Sequence, residues 1–280
     1  MSTVVESPGD QADQAVPDQA RLRWWRELAY VLVFYLVYSW VRNQFGSAAV
    51  APRDAFINAT RVIRLEQMLG LYAEPTIQRW FLGWGGFIRF WNVFYGTFHF
   101  VVTGFTMIWL YRRFPRAYPR WRNSLAFTTT FGLVGFALFP LMPPRLLGNL
   151  GPLGGRSYNH HFVDTLVEYG GVWSFHSTTM EAISNQYAAM PSLHLGWSIW
   201  CYFALDRYVR RRFTRALITI YPFLTMFAVI VTANHYWLDA VGGGVVFGLG
   251  AIAGTRWADL VERFGSSGSP ERIRVTASSR

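Results

Sequence analysis

Residues 216–256, ALITIYPFLTMFAVIVTANHYWLDAVGGGVVFGLGAIAGTR, contain two apolar runs, 216–233 and 238–256, separated by a short interval that carries Asn234 and His235. Both runs are too long and too uniformly apolar for the one-sided stripe of a soluble helix. A helix rises about 1.5 Å per residue, so about 20 such residues cross the roughly 30 Å hydrocarbon core of a bilayer. Working outward, segments 28–45, 87–110 and 124–142 have the same character, and 194–206 reaches the needed length with its flanking residues from Pro191 onward. The expectation is an all-α integral membrane protein with six transmembrane helices and interfacial helices between the first and second.

Composition agrees with a membrane body. The chain of 280 residues is 52% hydrophobic and 18% aromatic, with no long stretch of mixed composition left for a separate soluble domain. Segment 28–45 is long, aromatic and followed by no small-residue cleavage pattern, so it reads as a retained helix rather than a signal peptide. Residues 1–20 carry Glu6, Asp10, Asp13 and Asp18 with few apolar groups, and read as a disordered cytoplasmic tail. The six-helix body then occupies 21–260, and 261–280 forms a second flexible cytoplasmic tail.

All 26 basic side chains are arginine. They flank apolar spans instead of forming an aromatic-interleaved soluble surface, so the net charge of +10 points to anionic headgroups and away from nucleic acid. Arg21, Arg23 and Arg26 precede the first span, Arg112, Arg113, Arg116, Arg120 and Arg122 follow the second, and Arg207, Arg210, Arg211, Arg212 and Arg215 follow the fourth. In a six-crossing chain these clusters share one side, which the positive-inside rule makes cytoplasmic. Both termini are then cytoplasmic in a plasma (inner) membrane. Segments 46–86 and 143–190 and the turn at His235 fall on the outer side.

Residues 51–82 are not apolar enough to span, yet Phe56, Ile63, Met68 and Leu71 recur among Arg61, Arg64 and Glu66 at helical spacing. Two surface helices separated by a turn at Glu74-Pro75-Thr76 are expected there, packed over the entrance to the site. Segment 146–190 reads as a long functional or covering loop with a short helix at 163–169. Arg156, Asp164, His176 and Glu181 in it read as structural or exposed. His160 and His161 are adjacent but lack the flanking spacing of a metal site. Cys201, the sole cysteine, excludes an intramolecular disulfide and reads as structural among Trp200, Tyr202 and Phe203.

Two histidine motifs carry the chemistry. His235 and Asp239 are four apart, so one helical turn lets the carboxylate accept a proton from one ring nitrogen and leaves the other as an electron-pair donor toward phosphorus. Pro191-Ser192-Leu193-His194 starts another helix. There Ser192 can cap or donate to phosphate, the first amides form an anion-binding end, and His194 sits in the first turn. His194 is the candidate general acid, His235 the nucleophile that becomes phosphohistidine, and Asp239 the group that stabilises its cationic ring. Pro143-Pro144 ends the third span and leaves Arg145 at the boundary, where its fork can pair with phosphate oxygens. The plainer reading of Arg145 is an arginine snorkelling to the interface. No cofactor and no metal enter this scheme.

With Pro191-Ser192-Leu193-His194 and His235-x-x-x-Asp239 in place, the chain resembles the type 2 phosphatidic acid phosphatase superfamily of membrane enzymes. The resemblance implies that His194 is the general acid, Ser192 a phosphate contact and His235 the nucleophile assisted by Asp239. The lysine-containing basic motif of common members has no counterpart here, and Ala228 and Val229 stand where they carry Ser-Arg. Arg145, with Arg156, must substitute as phosphate ligands. The segment Pro143-Pro144-Arg145, the core His235-Tyr236-x-x-Asp239 and an upstream set including Asn58, Glu66, Gly70, Glu74 and Gln78 resemble the branch that contains inositol phosphorylceramide synthases. A membrane phosphatase or phosphotransferase is implied, acting on a lipid phosphate or phospholipid headgroup donor, with water or a lipid alcohol as acceptor. The competing readings are a catalytically inactive structural membrane protein, favoured by the missing basic residues, and a small-solute transporter.

Overall fold

The computed structural model describes residues 23–45, 51–149, 162–171 and 186–266. Nine α-helices lie within them: α1 (Trp24–Phe45), α2 (Pro52–Met68), α3 (Glu74–Leu82), α4 (Gly85–Arg113), α5 (Tyr118–Leu138), α6 (Thr165–Glu168), α7 (Leu193–Asp206), α8 (Arg212–Val231) and α9 (Trp237–Ser266). A 3-10 helix, Pro144–Asn149, follows α5.

Local chemistry sets several boundaries. Proline occupies the first turn of α2, α3 and α5, where its missing N–H costs no hydrogen bond. In α2, Ala55, Phe56, Ala59, Val62, Ile63 and Glu66 form the buried stripe. The chain reverses after α2 at Gly70, whose φ of +68° is easily reached only without a Cβ.

Helix α9 packs most extensively on α5, along Gly250-Ala251-Ile252-Ala253-Gly254. A Cβ placed at Gly250 would lie 2.6 Å from the backbone nitrogen of Thr128, and one at Gly254 would lie 2.6 Å from Cα of Ser124. These glycines let two backbones touch, the small-xxx-small contact of membrane helices. Helix α7 packs between α8, α9 and α4. Its fully buried Trp200 donates to the carbonyl of Trp121 on α5 at 3.0 Å. Cys201 is buried beside Thr103, in keeping with a structural role.

Three helices are long and apolar enough to cross a membrane, within 85–113, 212–231 and 237–264. They keep large apolar side chains on the outer surface, among them Phe100, Val101 and Phe105 on α4, Phe223 on α8, and Val241 and Ile252 on α9. Such surfaces are stable facing lipid, and the protein is membrane-associated.

The expectation of six transmembrane helices, with interfacial helices between the first two, is therefore overturned: among the described residues three helices qualify. Helix α7 has 14 residues, about 21 Å at 1.5 Å each, short of the roughly 30 Å core. Helices α1 and α5 are long enough but diluted. The sequence of α1 has Arg26 and Glu27 in its first turn and Arg42, Asn43 and Gln44 in its last, while α5 carries Arg120, Arg122, Ser124 and three consecutive threonines. Sequence windows trimmed to apolar residues hid those polar ends. The short helix expected at 163–169 is present as α6.

The bundle has two chemically different ends. Arg112 and Arg113 close α4, Arg120 and Arg122 open α5, Arg212 and Arg215 open α8, and Arg256 and Arg263 lie near the end of α9. Glu27, at the start of α1, pairs with Arg122 Nη1 at 2.6 Å, which puts that start at the same end. The opposite end holds the start of α7, the α8–α9 turn, the 3-10 helix and the buried face of α2.

Candidate active site

Each site side chain comes from a different element at that second end. Helix α8 stops at Val231, and the turn that follows places Ala233 in the left-handed region at φ +53°. A residue with a Cβ pays roughly 1–2 kcal/mol there. The turn is held by Asn234 N and His235 N donating to the carbonyl of Val229, at 2.9 and 3.2 Å, and by Arg145 N donating to the carbonyl of Ala233 at 2.8 Å. The backbone that strains the turn thus ties it to the 3-10 helix carrying Arg145.

His235 is 3% exposed. Its Nδ1 lies 2.8 Å from the carbonyl of Ala189 and 3.3 Å from Asp239 Oδ2. A carbonyl can only accept, so Nδ1 carries the proton and Nε2 the lone pair. The helical spacing does bring Asp239 to the ring, but the closer acceptor is a backbone carbonyl 46 residues upstream.

Carboxylates cap the start of α9. Asp239 Oδ2 accepts from Tyr236 N at 2.9 Å, Glu74 Oε1 from Trp237 N at 3.3 Å, and Glu66 Oε1 from Leu238 N at 2.8 Å. All three carboxyl groups are fully buried. Anionic caps suit the positive end of a helix, but three anions this close repel. Burial, then a hydrogen bond with Glu74 and the charge of Glu74, push Glu66 up to about 9, so this pair holds a proton through the neutral range.

Ser192 caps α7, its Oγ accepting from Leu195 N at 3.4 Å, and it is fully buried. Ser192 N donates to the Asp239 carbonyl at 2.9 Å, which ties the two helix starts together. His194 follows on the first turn of α7, its ring stacked on Tyr95 of α4 with centroids 4.4 Å apart and 25° between planes. The His194 and His235 rings are 5.5 Å apart. Burial above all holds His194 well below the ordinary histidine range.

Arg145 is buried, with Nε donating to Asn234 Oδ1 at 3.0 Å and Nη1 to Asp164 Oδ2 at 2.8 Å. It is therefore not a snorkelling side chain. Asp164, read from sequence as structural or exposed, also caps α6 by accepting from Leu166 N and Val167 N. A cavity of about 100 Å³ is lined by Tyr95, Arg145, Gln186, His194, Asn234 and His235, among others. A single water needs roughly 10–15 Å³, so a phosphoryl-sized group is within its capacity.

The structure thus brings Arg145, His194 and His235 to one cavity, with Asp239 behind His235 and Ser192 at the cap of α7, outside the cavity lining. Arg156, His160, His161, His176 and Glu181 lie outside the described residues. Among the described residues no three His, Cys, Asp or Glu side chains are placed to hold a metal. Sequence reading missed His99, Tyr95, Asn234 and the capping roles of Glu66 and Glu74. His99 had a usable signal, since an ionisable side chain inside the apolar run 87–110 is costly without a role.

A family model described as the PAP2 superfamily matches residues 60–253, more than two thirds of the chain. The chain belongs to the PAP2 superfamily. The match runs from α2 into α9 and takes in Arg145, Ser192, His194, His235 and Asp239. No curated protein and no solved structure is significantly similar to the chain. PAP2 membership places the protein among membrane phosphatases and phosphotransferases, with buried histidine and aspartate side chains in the matched region and a lipid-related substrate class.

Proposed function

We propose that the protein is a membrane phosphatase or phosphotransferase that acts on a lipid phosphate or phospho-headgroup donor through a phosphohistidine at His235. One observation carries this reading: a histidine locked as its Nδ1–H tautomer by the Ala189 carbonyl lines the same small cavity as Arg145 and a second histidine. In the first step the negative charge of the bound phosphate favours protonated His194. The Nε2 lone pair of His235 attacks phosphorus, the bond from phosphorus to the leaving oxygen breaks, and His194 gives that oxygen its proton. The Ala189 carbonyl and Asp239 hold the Nδ1–H of the resulting cationic ring. In the second step water or a lipid alcohol attacks phosphorus, His194 takes its proton back, and the nitrogen–phosphorus bond breaks. Arg145, fixed by Asn234 and Asp164, stabilises the charge on the phosphoryl oxygens in both transition states. Arg156 is the further phosphate ligand of this reading.

Resemblance to the inositol phosphorylceramide synthase branch, on Pro143-Pro144-Arg145 and His235-Tyr236-x-x-Asp239, favours an alcohol as acceptor. The sidedness is read from the arginines alone. The arginine-rich ends of α4, α8 and α9 lie together, opposite the site, and the start of α1 and the end of α9 are both at that end. On the positive-inside rule this reading puts the arginine-rich end in the cytoplasm and the site outside, in the plasma (inner) membrane.

The test incubates purified protein with radiolabelled phosphatidic acid, a polyprenyl diphosphate or a phosphoinositide, with water alone or with an added lipid alcohol. The expected result is an acid-labile phosphoprotein, absent in His235→Ala, together with free phosphate or a new phospholipid. Turnover by His235→Ala equal to that of the wild type would overturn the covalent route.

A further inference from the structure

Helix α4 carries a histidine that the reaction above does not use. His99 lies one turn beyond Tyr95, in the middle of an apolar membrane helix where an imidazole is costly to bury. Its Nδ1 lies 3.0 Å from the carbonyl of Tyr95. As with His235, a carbonyl partner fixes the proton on Nδ1 and leaves Nε2 as an acceptor. The His99 and His194 rings meet edge to face, with centroids 4.3 Å apart and 66° between planes.

His194 therefore stands between two histidines of fixed tautomer. Among the described residues its own ring makes no hydrogen bond. It also forms part of two walls. One side faces the cavity with His235 and Arg145, and the other faces a void too narrow for water, bounded by Phe94, Tyr95, His99, Thr225 and Val229 among others. A protonated imidazole has two N–H donors. When His194 donates one to a leaving oxygen in the first cavity, the other still needs an acceptor, and His99, with its Nε2 lone pair, shares the second wall.

We propose that His99 is a positioning residue for His194: its Nε2 accepts the far N–H of the protonated His194 ring and so holds the other N–H toward the leaving oxygen. This rests on the reading of His194 as the proton donor. His99 itself neither gains nor loses a proton in the cycle. The titratable and charged groups around the His194 ring are His99 and Tyr95 from α4, His235 from the α8–α9 turn and Arg145 from the 3-10 helix.

Two measurements on the full chain in detergent micelles test the pairing. With nitrogen-15 histidine labelling, the His194 titration midpoint should fall by about one pH unit in His99→Phe, a tenfold loss of proton affinity. It should return close to the wild-type value in His99→Gln, whose carboxamide oxygen can accept. An unchanged midpoint in His99→Phe would overturn the proposal. In the second measurement, phosphatidic acid has an alkoxide leaving group that needs a proton, whereas p-nitrophenyl phosphate does not. His99→Phe should lower kcat on phosphatidic acid about 10- to 100-fold, the scale of a lost orienting partner, and on p-nitrophenyl phosphate by less than about threefold. Equal losses on both would mark a merely structural role and also overturn the proposal. A wild-type protein that turns over neither substrate, with the midpoint shift still present, would sink the phosphatase reading while supporting the ring pairing.

Discussion

The starts of α7 and α9 are both buried helix ends that present a histidine to the same cavity, yet they are held in opposite ways. At α7 one neutral hydroxyl, Ser192 Oγ, caps one amide at 3.4 Å, and His194 is positioned by ring contacts alone. At α9 the amides of residues 236, 237 and 238 each meet a buried carboxyl group, and His235 is gripped by a carbonyl and a carboxylate. A nucleophile gains from a fixed lone pair, since misplacement by an ångström lowers the rate steeply. A proton donor must change charge twice per cycle, and a ring that meets an acceptor only when protonated can do so without losing its place. The contrast fits the two roles proposed for these rings.

The sharpest way to break that contrast is to delete each ring in turn. His235→Ala should abolish both the phosphoprotein and turnover, a loss on the order of 10³-fold or more. His194→Ala should cost about 10²- to 10⁴-fold on an alkyl phosphate and far less on p-nitrophenyl phosphate, because only the former needs its leaving oxygen protonated. Equal sensitivity of both variants to the leaving group would mean that the roles are not divided as described.

Arg145 links the two starts through Asn234 and the cavity wall. Arg145→Lys keeps the charge but not the fork held by Asn234 and Asp164, and should lower kcat roughly 10- to 100-fold with native-like thermal stability. Unaltered kcat would remove Arg145 from the phosphate site.

The carboxyl caps of α9 make a prediction about pH. Glu66 has a folded-state pKa of about 9 against an ordinary value of 4.5, so its protonated form is favoured by folding. That contribution is fully present below pH 4.5 and is lost as pH rises through 9. Glu66→Gln, which keeps an acceptor for Leu238 N and carries no charge, should therefore gain thermal stability over the wild type as pH rises from about 5 to 9. A constant difference across that range would show that Glu66 is charged throughout. The smallest effect belongs to the looser start: Ser192→Ala should cost about 1 kcal/mol of stability, measured by denaturation in detergent, with no change in leaving-group dependence.

Part of the candidate site is legible in the sequence because its motifs are local. His235 and Asp239 are one turn apart, and Ser192 and His194 sit at a helix start announced by Pro191. Such features depend on helical period and capping, which operate over a few residues. The helix count was less legible. A window of apolar residues cannot tell a full crossing from the buried middle of a shorter or polar-ended helix, as α7, α1 and α5 demonstrate.

By itself the sequence determined an all-helical, membrane-associated chain with an arginine-rich end and two histidine motifs, because hydropathy, periodicity and capping are written residue by residue. Only the tertiary structure decided that the Ala189 carbonyl sets the tautomer of His235, that Glu66 and Glu74 cap a helix more than 160 residues away, and that His99 lies against His194. Those contacts arise where separate helices close on one another, and no local pattern encodes a hydrogen bond made across such a distance in the chain.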